Sequence, residues 1–230
     1  MKPAVRISIA AAILIAAVVA LIAGLPRWLA TPDVTFGGRP VEAWVAELKS
    51  GNPGASNTAV AMTTNVIVPQ LLDTVHRETH DRRLKLMLVE ALDSLPGIHV
   101  DFVPADGRRA LALEDLAKLG PAGESATPEL VRLLDENDER LIGHAATALA
   151  AVRCKPAIAV PALLHALLRP DGHGRPEAVD ALAEYGTNAR VAIPQLLNLL
   201  DDYGSKEIRV AVPRALKAID PERFAKLPGR

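Results

Sequence analysis

Between Arg6 and Arg27 the chain runs through twenty residues, ISIAAAILIAAVVALIAGLP, without a single charge. As a helix rising about 1.5 Å per residue, this stretch reaches roughly 30 Å, the thickness of a bilayer's hydrocarbon core. A helix apolar on every side has no place in a thin two-layer domain. Residues 7–26, from Ile7 to Pro26, therefore predict a single transmembrane helix. A cleaved signal peptide is the alternative, but its apolar region spans about 7–15 residues and ends in a small-x-small site. Here Leu25-Pro26-Arg27-Trp28-Leu29-Ala30 puts bulky Trp28 where a small residue belongs. Lys2 and Arg6 precede the span and only Arg27 follows it closely. The positive-inside rule then predicts a single-pass inner-membrane protein, its N-terminus cytoplasmic and the remainder extracytoplasmic, with Trp28 at the interface.

Beyond residue 28 the pattern changes to apolar positions at i, i+3 and i+4, the helical period. Three segments superpose: ATPELVRLLDEN (126–137), AVPALLHALLRP (159–170) and AIPQLLNLLDDY (192–203). Pro128, Pro161 and Pro194 stand 33 residues apart, and so do Leu130, Leu163 and Leu196. A second amphipathic segment precedes each copy, with Ala112, Ala145, Ala178 and Ala211 in one column and Leu116, Leu149 and Leu182 in another. Small Ala lets neighbouring helices approach, and the Leu columns fill the layer between them. A proline near the start of each second helix loses no intrahelical hydrogen bond there, and Gly120 and Gly186 suit the ends of the first helices. The pattern predicts an all-α fold, an α-α superhelix of stacked helix pairs preceded by the one transmembrane helix.

The unit ALEDLAKLGPAGESATPELVRLL resembles a HEAT repeat of the short bacterial, PBS-lyase HEAT-like type: a first helix A, an LG turn, then a helix B that opens on Pro before paired leucines. The resemblance is strong over residues 107–219 and weaker upstream. There Pro69-Gln70-Leu71-Leu72 repeats Pro194-Gln195-Leu196-Leu197, and residues 80–95 suit a further A-type helix. Pro69 and Pro128 are 59 residues apart rather than two repeats, so the register breaks. The break falls at Leu95-Pro96-Gly97 to Gly107, where Pro and Gly punctuate an alternating IHVDFV. The segment VTFGGRPVEAWVAELK offers Phe36, Trp44 and Leu48 to cover the apolar end of the first repeat, as a solenoid requires. Similar segments precede the repeats of membrane-anchored bacterial HEAT proteins. The chain thus divides into a transmembrane anchor with a short cytoplasmic start (1–28), a tether (29–35), a cap, divergent repeat and irregular linker (36–106), regular HEAT-like repeats (107–219) and a tail (220–230).

The resemblance implies that a partner is bound on the curved surface lined by B helices. Along those helices the apolar columns stay apolar, while one outward column reads Asp73, Arg132, His165, Asn198 and its neighbour reads Gln70, Glu129, Ala162, Gln195. Side chains that point off the core and differ between copies suit a non-repetitive partner, although any solvated face varies in the same way.

Composition narrows the chemistry. Half the residues are hydrophobic but only 3% are aromatic, which suits helices packed through Ala and Leu and leaves few rings for base stacking. With 26 basic against 27 acidic residues, no overall charge draws the chain to nucleic acid. A single cysteine, Cys154, forms no intramolecular disulfide. His76 and His80 share a helix face if one helix spans both, but no third ligand accompanies them and Glu78 is misplaced for a zinc-protease motif. His99, His144, His165 and His173 are dispersed, and the His-Glu pairs of HEAT-like hydroxylases are missing. No G-x-S-x-G, G-x-G-x-x-G or phosphate-binding loop occurs. Arg82, Arg83 and Lys85, beside Asp81 and Glu90, read as a solvated helix face. No catalytic, cofactor or metal site is expected. The reading is a non-catalytic membrane-anchored scaffold for a protein partner; the alternative is a HEAT-like enzyme, a metal-dependent hydroxylase or a lyase.

Overall fold

The computed structural model describes residues 30–31, 34–50, 53–77, 80–81, 83–95, 99–201 and 206–225, and these are mostly helical. In chain order the elements are α1 (Val41–Lys49), α2 (Pro53–Met62), a π-helical turn (Thr63–Ile67), α3 (Val68–Arg77), α4 (Arg83–Asp93) and α5 (Ala105–Leu119). A 3-10 turn (Gly120–Ala126) leads into α6 (Thr127–Leu133), followed by α7 (Glu139–Val152), α8 (Pro156–Leu167) and α9 (Arg175–Glu184). A second 3-10 turn (Gly186–Ala192) precedes α10 (Ile193–Asp201), α11 (Lys206–Ile219) and the short α12 (Pro221–Phe224). The chain divides into two compact units, one holding residues 79–107 with the N-terminal residues up to Val34, the other residues 35–78 and 108–230.

The larger unit is held by one continuous core that runs from Phe36 to Phe224. Leu116, Leu149 and Leu182 are each fully buried, as are Ala145 and Ala178 between Ala112 and Ala211, which are nearly so. Small side chains in that column let α5, α7, α9 and α11 lie close, and the leucines fill the space against α6, α8 and α10. The arrangement is consistent with a helical-repeat solenoid. At its start Phe36 and Trp44 are buried together, with Trp44 Nε1 donating to the Phe36 carbonyl at 2.9 Å. The outer face of the Trp44 ring is covered by the Arg39 guanidinium, 4.4 Å from the ring centre.

Local chemistry sets the ends of these helices. Asp138 caps α7, its carboxylate accepting from the Arg140 and Leu141 amides at 3.1 and 3.3 Å. The first helices close on left-handed residues one repeat apart, Gly120, Arg153 and Gly186. Pro128 lies in the first turn of α6, and Pro194 is the second residue of α10. The middle copy differs. There Lys155 is also left-handed, α8 begins at Pro156, and Pro161 falls inside the helix instead of at its start. A second left-handed residue replaces the 3-10 turn of the other copies, so the helix starts four residues earlier.

In the smaller unit α4 packs Leu88, Val89 and Leu92 against Val100 and Phe102. Thr31 ties the chain to this cluster: its amide donates to the Asp101 carbonyl at 2.8 Å, and its hydroxyl accepts from the Val103 amide at 2.9 Å.

The fold expected from sequence needs one correction. Among the described residues no helix is long and apolar enough to cross a membrane. The longest, α5 with 15 residues, reaches about 22 Å at 1.5 Å per residue, short of a roughly 30 Å hydrocarbon core. The span expected at Ile7 to Pro26 lies outside the described residues. The transmembrane element of the fold class, and with it the single-pass inner-membrane placement, is therefore withdrawn; a mostly helical fold of many packed helices stands.

Candidate partner-binding face

The second helices α3, α6, α8 and α10 position the two columns singled out in the sequence. In α8 the residues Ile158, Ala162 and His165 follow one another at roughly one-turn intervals on one helix face. In the neighbouring copies Glu129 and Arg132, and Gln195 and Asn198, stand in the places of Ala162 and His165, while Ser125 and Val191, one repeat from Ile158, lie in the 3-10 turns before α6 and α10. Arg132, His165 and Asn198 are exposed, Glu129, Ala162 and Gln195 partly buried.

The structure joins some of these side chains and leaves others apart. Asp73 is exposed and pairs with Arg77 one turn along α3, at 2.6 Å. Glu129 and Arg132 pair at 2.6 Å on α6, and both meet His76 at the end of α3. His76 Nε2 lies 2.8 Å from Glu129 Oε1 and 2.9 Å from the Arg132 guanidinium. Its Nδ1 lies 2.7 Å from the Leu72 carbonyl, which only accepts, so Nδ1 carries a hydrogen. Burial opposes ionisation of Glu129, but the Arg132 and His76 contacts outweigh it and hold the carboxyl below its ordinary value. His165 turns the other way, toward Asp135 at the end of α6, at 3.2 Å. Gln195 carries a buried Oε1 without a donor among the described residues. Asn198 is not part of either cluster.

Two features of this face lie outside the columns chosen from sequence. One is His76, which bridges α3 and α6. Helix α3 is described as far as Arg77, and His80 lies outside any described helix, in keeping with a polar helix end that turns into a loop. The other feature is apolar: Ile158 and Val191, 33 residues apart, are 44% and 60% exposed. Ile158 lies in the first turn of α8 and Val191 in the 3-10 turn before α10; their spacing was legible in the sequence, but their exposure was not.

Among the described residues no group of three or more His, Cys, Asp or Glu side chains is placed to hold a metal. Cys154 is partly buried, and its thiol is pushed up chiefly by burial and then by Glu124, which makes it a poor nucleophile.

No protein-family profile matches the chain, and no curated protein does. Among solved structures it is similar to an engineered protein whose crystal structure was determined by the Northeast Structural Genomics Consortium. The identity is 24%, the TM-score is 0.41, and the match covers 80% of each chain.

Proposed function

We propose that the chain is a HEAT-like repeat scaffold that binds another protein on its B-helix face and carries out no catalysis of its own. The observation that carries this reading is the exposure of Ile158 and Val191 beside columns whose polar side chains change from copy to copy. Exposed apolar groups supply area worth burying, and the varied polar groups around them supply specificity. The 33-residue period of Pro128, Pro161 and Pro194, with its matching Ala and Leu columns, supports the HEAT-like assignment. The Glu129–His76–Arg132 cluster adds fixed charges at one end of the face and holds α3 to α6.

A photo-crosslinking residue placed at Asn198, and in a second protein at Ile158, tests the reading in cell extract. Both sites are to capture the same protein, while the same residue placed at Glu114, on a first helix, does not. Equal capture from all three positions, or from Glu114 alone, refutes the assignment of the binding face.

A further inference from the structure

In the smaller unit the apolar arc of α4 is wider than its cover. Leu88, Val89 and Leu92 are taken up by the packing against Val100 and Phe102. Beside them, Leu84, Met87 and Ala91 recur at i, i+3 and i+7 and so form a stripe of their own. Leu84 is 68% and Met87 59% exposed, and Ala91 is exposed as well. A contiguous apolar stripe of this kind, edged by polar side chains, marks a surface that association covers.

The charges of α4 narrow what covers it. Lys85 lies over the Phe102 ring, 4.7 Å from its centre. Asp93 is engaged by His99 at 2.9 Å and by the Val100 amide at 3.4 Å. That leaves Arg83 and Glu90, both exposed, whose side chains have no hydrogen-bond or ion-pair partner among the described residues. They are of opposite sign, about two turns apart, and on the same flank of the stripe. The helix holds Arg83 and Lys85 against Glu90 and Asp93, so it has none of the cationic excess that an anionic lipid surface attracts. A flank that reads plus and then minus is instead the complement of its own reverse.

We propose that this stripe is covered by a second copy of the chain, the two α4 helices lying antiparallel about a two-fold axis beside Met87. Arg83 of each copy then faces Glu90 of the other, and Leu84 of each sits over the small Ala91 of the other. Met87 meets its own counterpart at the axis. A parallel pairing sets each charge level with its like and gains neither ion pair. The contact between two helices of 11 residues is small beside the roughly 1,600 Å² of a standard interface, so the dimer forms and dissociates with concentration.

Sedimentation equilibrium of the full chain measures the association, with melting curves showing that each variant stays folded. Arg83→Glu and Glu90→Arg each set like charges against one another at two symmetric places and are to weaken dimerisation about tenfold or more. The double variant R83E/E90R restores both ion pairs and is to bring the affinity back to within about threefold of the wild type. Met87→Cys, in a Cys154→Ser background, is to link two copies under mild oxidation, whereas Leu86→Cys, off the stripe, is not. A wild-type chain that stays monomeric up to about 100 μM overturns the proposal. So does an association that the charge variants leave unchanged, or a double variant no better than the single ones. Phosphatidylserine vesicles are the control for a lipid surface: binding to them that Leu84→Asp abolishes, in a chain that stays monomeric without them, also overturns it.

Discussion

Replacing Tyr185 by Phe removes one oxygen and nothing else, and the structure sets what that oxygen is worth. Tyr185 ends α9 and is buried, its hydroxyl lying 3.2 Å from the Leu149 carbonyl and 3.1 Å from the Cys154 carbonyl. It therefore clamps the turn of the preceding repeat, where Arg153 and Lys155 both hold left-handed backbone at a cost of about 1 kcal/mol each. Leu149 O keeps a second donor, the Arg153 amide at 2.9 Å, whereas Cys154 O has no other among the described residues. The loss is one hydrogen bond plus one stranded carbonyl, about 1–2 kcal/mol. In a chain of this size that lowers the melting temperature by roughly 3–6 °C. Burial first, and Cys154 second, push the phenol up to about 12, against about 10 in the unfolded chain. Between those values the native state keeps a proton that the unfolded chain releases. The stability tied to this group is therefore complete below about pH 10 and lost as pH rises toward 12. Melting curves of the wild type and Tyr185→Phe, followed by far-ultraviolet circular dichroism, are to separate at neutral pH and converge above about pH 10. A gap under about 1 °C at neutral pH, or one that stays constant through the alkaline range, refutes the clamp.

Three further outcomes follow from the same packing. Leu149→Ala empties a fully buried site and is to cost about 2–5 kcal/mol in urea unfolding; a cost under about 1 kcal/mol contradicts the repeat register. Arg153→Gly relieves left-handed strain and gives up only an exposed ion pair with Glu184. It is to raise stability by about 0.5–1 kcal/mol. Gly186→Ala, in the equivalent position of the next repeat with φ +53°, is to lower stability by about 1 kcal/mol, and identical signs in the two melting experiments refute the shared turn geometry.

The repeat was legible because its signals are local and recur: the Ala and Leu columns and the prolines each state one helix face three or four times over. The turns were legible only where glycine marks them. Arg153 stands in the Gly120 and Gly186 column, and its left-handed backbone is held by tertiary contacts, Tyr185 among them, that no residue nearby in sequence announces. The cluster of Thr31 with Asp101 and Val103 joins residues some seventy positions apart, and nothing in an alternating IHVDFV points to it. On the candidate face, the outward columns follow from helical period alone. Which of their side chains meet does not: His76 reaches Glu129 and Arg132 because of how α3 lies against α6, and the exposure of Ile158 and Val191 depends on what the neighbouring copy leaves uncovered.

The most direct test of the binding face is the affinity of the protein captured at Asn198 for the triple variant R132A/H165A/N198A. Each substitution removes an exposed side chain and is to cost under about 0.5 kcal/mol, so the variant keeps its fold. Binding weakened by about tenfold or more, at a melting temperature lowered by no more than a few degrees, is the predicted result. Wild-type affinity in the folded variant contradicts it and makes that face ordinary solvated surface.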